Sequence, residues 1–370
     1  MKKLALTFAA ILGLLQATNT FAQSKAKLEI VSTFPSERPG NVAVSPEGRV
    51  FVTMSALGEN KYMVKEILSS GEAVNFPDTT WIKKPTGQSY KGINSTIGIN
   101  VSSDNILWVL DMGNKGATPK QAPKLVGWYI KTRKLAHAFP LPDAVLRPTS
   151  FLQDFVIDEK NNVAVIADMS LDGLITPPFP AFVVIDLKTG YGRRVLENHT
   201  TFQSLDEPAI INGRKVSHTY PDGSIYEPKY PLNPISIDKE MKWIYYGAMG
   251  GHQIYRIPAA AVADERLNNE LLAAQIESYA KKPKTDGFKV GNNGEVYVTD
   301  IEQNAVGIAT PKGYTILAQD EKLLSWPDGL ALSKDGYLYI VANQLHNTAW
   351  LNNNKDVSNP PYYVLRIKIK

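Results

Sequence analysis

Short apolar runs separated by polar turns recur along the chain, and residues 326–343 show the pattern most clearly. Residues 330–332 and 337–341 are apolar and predict two strands, which the polar turn 333–336 connects. The turn ends in Asp335-Gly336, a pair that favours hairpins because glycine accepts the positive φ of such turns. A hairpin alone cannot bury its apolar faces. The pattern therefore predicts that further strands pack against this one.

Five upstream segments repeat the same order of apolar strand, polar turn and apolar strand. The six units begin at Asn41, Ile97, Asp154, Asn233, Asp286 and Asp328. Aligned on the turn, Asn41 and Asp154 lie one residue out of register with the other polar starts. A third strand follows each unit, and a fourth follows several, as in residues 124–141 and 182–196. Three or four strands per repeat of about 40–80 residues are typical of a β-propeller.

The two ends of the chain extend this prediction. Residues 27–34 resemble a strand without a hairpin partner, and residues 362–369 form the last apolar strand. Pairing both into the last unit would remove the open edge of a linear array. The sequence therefore predicts an all-β fold, a six-bladed β-propeller with four-stranded antiparallel blades around a central channel. We expect residues 23–370 to form this single domain.

Residues 1–22 predict a cleaved secretory signal peptide. Lys2 and Lys3 precede an apolar stretch, residues 4–15, and Thr20-Phe21-Ala22 provides a small-x-small cleavage site. The apolar stretch is too short to serve comfortably as a membrane anchor, and no other segment predicts a membrane span. We therefore expect a secreted or periplasmic protein.

Composition excludes several functional classes. The chain contains no cysteine, which excludes disulfides, cysteine-ligated zinc and thiol nucleophiles. The net charge is +4, and the predicted mature part has no dense run of lysine and arginine. Nucleic acid is therefore not an expected partner.

Two insertions interrupt the repeat. Residues 199–231 contain histidines, tyrosines and prolines but little strand pattern, and long loops of this kind are often functional. Residues 264–280 predict a short surface helix with Asp264 as its N-cap. We expect that helix to serve packing rather than binding.

Polar residues flank the predicted strands at one end. In an antiparallel hairpin, the start of the first strand and the end of the second share a face. The starts are Asn41, Asp154, Asn233, Asp286 and Asp328, and the ends are Asp111, Asp168, Asp300 and Asn343. We expect them to converge on one mouth of the channel, where a cation, an amine ligand or backbone hydrogen bonds would relieve their repulsion. The alternative is that each residue only caps a turn.

A divalent cation is one candidate occupant of this mouth. Asn233 and Asp286 would supply the hard oxygen ligands that Ca²⁺ prefers, and Glu37 could add a third. The sequence contains no histidine pair at metal-ligand spacing, no nucleophile elbow and no phosphate-binding glycine loop. His252 and His346 could reach the mouth as acid–base groups. No catalytic residue is otherwise indicated.

Several blocks resemble the Yellow/major royal jelly protein family of secreted six-bladed propellers. They are residues 107–113 (LWVLDMG), 123–135 (PKLVGWYIKTRKL), 150–158, 165–175, 182–196 and 326–345. The resemblance implies the fold, and it implies either dopachrome conversion or binding of a small amine in the channel. Asn343 matches the family's asparagine in the last blade, which implies a ligand contact there. Insect members usually carry cysteines that this chain lacks.

A second resemblance leads to a different function. The regucalcin/gluconolactonase propellers hold a metal with a first-blade Glu and with Asn and Asp at strand starts like Asn233-Pro and Asp286-Gly. Glu37 lies several residues too early for the first of these. The sequence thus leaves open a small-molecule binder with isomerase activity, a metal-dependent lactonase and a non-enzymatic carrier or scaffold.

Overall fold

A computed structural model describes residues 27–369 except 56, 58–59, 86–90, 117 and 119. The predicted signal peptide lies outside these residues. Six four-stranded antiparallel sheets form the blades of a β-propeller, which confirms the predicted fold. The first strand of each blade contacts the first strand of the next, so the six inner strands surround a central channel.

The blades follow one another along the chain. The first strand of the described residues is β1 (Leu28–Phe34). Blade 1 contains β2 (Pro39–Val44), β3 (Val50–Met54), β4 (Val64–Ile67) and β5 (Ala73–Asn75). Blade 2 contains β6 (Thr96–Val101), β7 (Ile106–Asp111), β8 (Lys124–Tyr129) and β9 (Leu135–Pro140). Blade 3 contains β10 (Leu152–Asp158), β11 (Val163–Asp168), β12 (Ala181–Asp186) and β13 (Gly192–Val195).

The second half begins with the insertion, whose short strands are β14 (Ile210–Ile211), β15 (Arg214–Lys215), β16 (His218–Thr219) and β17 (Ile225–Tyr226). Blade 4 contains β18 (Leu232–Ile237), β19 (Trp243–Ala248), β20 (Gln253–Pro258) and β21 (Glu277–Lys281). Blade 5 contains β22 (Phe288–Val290), β23 (Val296–Asp300), β24 (Ala305–Thr310) and β25 (Gly313–Gln319). Blade 6 contains β26 (Pro327–Leu332), β27 (Tyr337–Ala342) and β28 (Tyr362–Lys368).

Both ends of the chain close the ring in blade 6. Strand β1 pairs antiparallel with β28, and the sheet order is β1-β28-β27-β26. This pairing covers the edge that a linear array would leave exposed. The predicted closure is confirmed, and so is the β26–β27 hairpin, in which Gly336 has a φ of 81°.

Apolar side chains from neighbouring blades interlock between the sheets. Trp108 and Ile106 of blade 2, for example, pack in one cluster with Phe155 and Ile166 of blade 3. Burying such side chains contributes about 1.5–3 kcal/mol each. The ring is therefore held by apolar contacts between blades as well as by hydrogen bonds within them.

The predicted surface helix over residues 264–280 is wrong in extent. Two short helices occur instead, α2 (Ala259–Ala263) and α3 (Asn269–Ala273), and residues 277–281 form the outer strand of blade 4. Asp264 ends α2, whereas Asn268 caps α3 by accepting a hydrogen bond from the Leu271 N–H at 2.9 Å. The need for a fourth strand in blade 4 overrides the local helical pattern. The remaining short helices are α1 (Thr79–Ile82) and 3₁₀ turns at Asp143–Val145, Asp172–Leu174, Thr200–Phe202, Leu345–Asn347 and Ala349–Leu351.

The insertion 199–231 folds over one end of the propeller. Its residues Ile211, Val216 and Tyr230 join Leu345 and Leu351 in one apolar cluster. Within the described residues, no helix is both long and apolar enough to cross a membrane. We call residues 199–231 and 345–353 together the cap.

The inner strands begin with a β-bulge that redirects their first side chains. In β10, Leu152 pairs with Asp168 and Asp154 with Ala167, which leaves Gln153 as an extra residue. Four other inner strands shift register at the same point. Because adjacent side chains of a strand point to opposite sides, a difference of one residue here changes which space a side chain enters.

Candidate functional site: the capped channel mouth

Two cavities lie near the starts of the inner strands. The first, the channel cavity, has a volume of about 160 Å³ and is lined by residues of all six inner strands. The second, the mouth cavity, has a volume of about 140 Å³ and lies between the strand starts and the cap. The cap thus covers the mouth, which answers a question that the sequence left open.

The structure divides the predicted ligand residues between these spaces. Asn233 and Asp286 line the mouth cavity, whereas Asp154 lines the channel cavity together with Asn41. Asp328 and Asn343 line neither cavity, and the Asn343 amide donates a hydrogen bond to Asp328 at 2.7 Å. The one-residue register difference seen in the sequence explains the division. As ligand contacts, all five residues remain predictions.

Asp286 is the central polar group of the mouth cavity. The Trp326 indole N–H donates to its Oδ2 at 2.6 Å, and the Asn233 amide donates to its Oδ1 at 2.5 Å. Burial raises the pKa of Asp286 to about 6, against the opposing effect of these two hydrogen bonds. The carboxyl group is therefore held in a fixed orientation and can exchange a proton near neutral pH.

The walls of the mouth cavity are mostly apolar and aromatic. They include Phe151, Met169 and Met249. The rings of Tyr230 and Trp326 meet edge to face with centroids 6.5 Å apart. Such walls suit a flat apolar ligand because aromatic rings favour edge-to-face and offset contacts.

Two polar atoms on this cavity lack a partner. Tyr230 Oη and Gln153 Oε1 are buried, and no hydrogen-bonding partner reaches either within the described residues. A buried polar group without a partner costs about 1–3 kcal/mol. A ligand that bonds to these atoms would remove that cost.

Sequence reasoning missed Gln153, Tyr230 and Trp326 as site residues. Gln153 could have been found by aligning the repeats on the strand pairing, because it occupies the position of Asn233 and Asp286. Trp326 directly precedes the best repeat, and Tyr230 lies in the insertion that was expected to be functional. The contact of Tyr230 with Trp326 has no signal in the sequence.

The strand-end aspartates have structural partners instead. Asp111 accepts hydrogen bonds from Lys124 Nζ at 2.5 Å and from the Ser95 N–H at 3.1 Å. Asp168 accepts hydrogen bonds from Arg194 at 2.6 Å and from the Phe151 N–H at 2.9 Å. These residues match the turn-capping alternative, and neither lines the mouth cavity.

Asp300 follows the same pattern. Its carboxyl accepts hydrogen bonds from the Gln303 N–H at 3.1 Å and from the Tyr314 hydroxyl at 3.1 Å. It therefore also acts as a cap for its own blade.

The two candidate histidines lie in different environments. His346 is buried and stacks on Trp326 with centroids 5.9 Å apart, and burial lowers its pKa to about 4. His252 is partly exposed and lies 3.7 Å from the Glu207 carboxylate, away from the mouth cavity. His346 therefore supports the wall of the site as a neutral ring.

The residues present do not fit the predicted divalent cation. Asn233 turns an N–H, not its carbonyl oxygen, toward Asp286, so the two residues do not present their oxygens to one cation. Glu37 instead forms an ion pair with Lys65. In the part of the chain that the structure describes, no three Asp, Glu or His side chains are grouped to hold a metal ion.

The fold and the site together define a closed six-bladed propeller with a capped channel mouth. The family model described as "Major royal jelly protein" matches residues 94–369. The chain belongs to this family, which confirms the resemblance seen in the sequence blocks. No curated protein matches the chain.

Solved structures of other propellers share the fold at low sequence identity. The regucalcin from Agrobacterium tumefaciens, a calcium-binding protein, is 12% identical with a TM-score of 0.56, covering 93% of this chain and 94% of its own. A gluconolactonase from Xanthomonas campestris is 10% identical with a TM-score of 0.55, covering 92% and 90%. A streptogramin B lyase is 14% identical with a TM-score of 0.53, covering 94% and 98%. At these identities the likeness shows the fold alone.

Proposed function

We propose that this protein binds a small aromatic molecule with an amine group in the mouth cavity. The observation that carries the proposal is Asp286, a buried carboxyl group in a cavity with mostly apolar walls. An ammonium group would donate to this carboxyl and offset the cost of burying its charge. The ligand ring would contact Trp326 and Tyr230.

The unpartnered polar atoms extend the proposed recognition. Gln153 Oε1 can accept a hydrogen bond from the ligand, and the Tyr230 hydroxyl can donate or accept one. A polar substituent on the ring would therefore bind more tightly than a purely hydrocarbon ring. Asp328 and Asn343 would act behind the cavity wall, since neither lines it.

Isomerisation of the bound ligand, in the manner of dopachrome tautomerase, is the catalytic form of this proposal. Asp286, with a pKa of about 6, would accept a proton from one ring position and return it to another. The Tyr230 hydroxyl has no competing partner and would stabilise the oxygen that gains electron density. The step needs no oxidant, because only a proton moves within the ligand.

Calorimetry with tryptamine and dopamine, compared with the uncharged analogues indole and catechol, tests the proposal. We expect the amines to bind more tightly, and Asp286→Asn to weaken amine binding by at least ~10-fold while leaving the analogues unaffected. Asp222→Asn is the matched control, because Asp222 is exposed and lies in the turn of the cap. Equal amine affinity in wild type and Asp286→Asn would contradict the proposal.

Turnover is measured separately, from the absorbance of dopachrome. Loss of conversion in Asp286→Asn with binding of indole retained would support proton transfer. Binding without turnover in the wild type would instead favour the carrier alternative.

The lactonase alternative has no comparable support. The likeness of regucalcin and gluconolactonase to this chain shows the fold alone. Hydrolysis in the manner expected from that resemblance would need a divalent ion, which the described residues do not fit. We therefore do not propose it.

We further propose export, on the basis of the signal-like pattern of residues 1–22. The protein recovered from the medium or the periplasm should begin at Gln23. Intact Met1 on protein found only in the cytoplasm would contradict this proposal.

A further inference from the structure

The channel cavity carries its own pair of charged side chains. Among the described residues that line it, Asp154 and Lys289 are the only charged ones. Asn41 and Asn100 add neutral amides, and the rest of the lining is apolar or glycine. This space is separate from the mouth cavity, since the two share no lining residue.

The two charges face the same space without meeting. No carboxylate or carbonyl among the described residues bonds the Lys289 ammonium, which is partly exposed to the channel. Asp154 Oδ1 accepts a hydrogen bond from the Phe155 N–H at 2.8 Å. The second oxygen of Asp154 makes no hydrogen bond to Lys289, and the two groups interact only through space.

Burial makes both charges unfavourable in the free protein. It raises the pKa of Asp154 to about 7 and lowers the pKa of Lys289, while their mutual attraction opposes both shifts. A charge in such a place requires a partner of opposite sign. The fold supplies neither partner directly.

We propose that the channel cavity binds a small zwitterion, with its ammonium on Asp154 and its carboxylate on Lys289. A molecule that carries both charges satisfies both side chains, whereas a single anion or cation leaves one of them without a partner. The cavity of about 160 Å³ is roughly ten times the volume that one water needs, so a small amino acid fits.

Asn41 and Asn100 also line the cavity, but their amides already have partners. Asn41 bonds to Asp154 and accepts a hydrogen bond from the Val42 N–H. Asn100 donates to the Phe155 carbonyl oxygen at 3.4 Å.

Two glycines at the strand starts bring neighbouring blades close together. Gly287 and Gly329 line the channel, and each lies against the strand start of the next blade. A Cβ on Gly329 would lie 2.0 Å from Asn41 Oδ1, and one on Gly287 would lie 2.3 Å from the Asp328 carbonyl oxygen. The two Asp-Gly pairs therefore permit close approach of neighbouring blades, in addition to placing their aspartates.

Calorimetry on the full mature chain tests the proposal with glycine, β-alanine and γ-aminobutyrate, whose charges lie at increasing separation. Acetate and methylamine serve as singly charged probes. We expect one zwitterion to bind at least ~10-fold more tightly than either singly charged probe. Lys289→Met and Asp154→Asn should each lower the affinity for that zwitterion by at least ~10-fold.

Lys312→Met is the control, because Lys312 is exposed in the β24–β25 turn and does not line the channel cavity. Unchanged zwitterion affinity in both channel variants, with wild-type circular dichroism, would overturn the proposal. If either variant fails to fold, the affinities of the wild-type protein for the zwitterions and for the singly charged probes test the proposal. Absence of any preference for a zwitterion over acetate and methylamine would then overturn it.

Discussion

The aspartates at the two ends of the inner hairpins differ in what surrounds them. At the strand ends, Asp111 and Asp168 are fully buried, and each has a cationic partner, Lys124 or Arg194. At the strand starts, Asp154 and Asp286 are enclosed as well, but no cation bonds to either within the described residues. The first pair is satisfied by the fold, whereas the second pair retains a charge that a ligand can satisfy.

Electrostatic repulsion adds to this difference. Burial raises the pKa of Asp328 well above its ordinary value, and the charges of Asp286 and Asp154 raise it further. These three carboxyl groups lie at the starts of strands from three blades and share one low-dielectric region. The same residue type thus serves stability at one end of a hairpin and provides binding capacity at the other.

The largest expected effect comes from removing the cationic partner of a strand-end aspartate. Arg194→Met leaves Asp168 buried without its ion pair and should lower the free energy of unfolding by about 3–5 kcal/mol. Arg147→Met is the control, because Arg147 pairs with Glu197 while 45% exposed, and should cost about 0–1 kcal/mol. Urea denaturation measures both. If both variants lost similar amounts of unfolding free energy, the buried ion pair of Asp168 would not differ from an exposed one.

A smaller effect is expected from forcing the strand starts apart. Gly329→Ala places a Cβ against Asn41 Oδ1 and should lower the free energy of unfolding by about 1–3 kcal/mol. Gly116→Ala should change it by less than about 0.5 kcal/mol, because the nearest atom to its Cβ would lie 3.6 Å away. Thermal melts compare the pair. A tolerated Gly329→Ala would show that close approach at this site is not required.

The smallest expected effect is the pH dependence of stability that the strand-start aspartates Asp154 and Asp286 cause. Asp154 and Asp286 have pKa values of about 7 and about 6, above their ordinary value, so the folded state binds more protons than the unfolded state. Their contribution to stability is full below about pH 4 and is lost as the pH rises through 6 to 7. Relative to wild type, Asp154→Asn should therefore gain on the order of 1 kcal/mol between pH 6 and pH 8.

Denaturation at a series of pH values measures this difference. His346, whose pKa is lowered to about 4, acts in the opposite direction, because its contribution is lost as the pH falls from about 6.5 through 4. That effect is common to wild type and Asp154→Asn and cancels in the comparison. If the unfolding free energy of Asp154→Asn varied with pH in parallel with that of wild type, folding would not raise the pKa of Asp154.

The sequence predicted the fold well and the site only in part. Strand starts such as Asn233 and Asp286 were found because polar residues recur at a fixed place in the repeat. Gln153 was missed because the next residue, Asp154, is also polar and lies at the same strand start. Only the β-bulge in β10 shows which of the two side chains faces the mouth. The prediction of one helix over residues 264–280 was wrong because the end of this segment forms the outer strand of blade 4.

The sequence by itself determined the number of blades, the strands of each hairpin and the closure by both chain ends. These features depend on the local alternation of apolar and polar residues and on turns such as Asp335-Gly336. Both signals are complete within a single pair of strands. Only the tertiary structure decided that the cap covers the mouth, that Tyr230 meets Trp326, and that Asp154 and Asp286 enter different cavities. The first two outcomes depend on contacts between segments far apart in the chain, which local patterns do not encode. For the third, the sequence shows a one-residue register difference, but only the β-bulge in β10 decides which side chain enters which cavity.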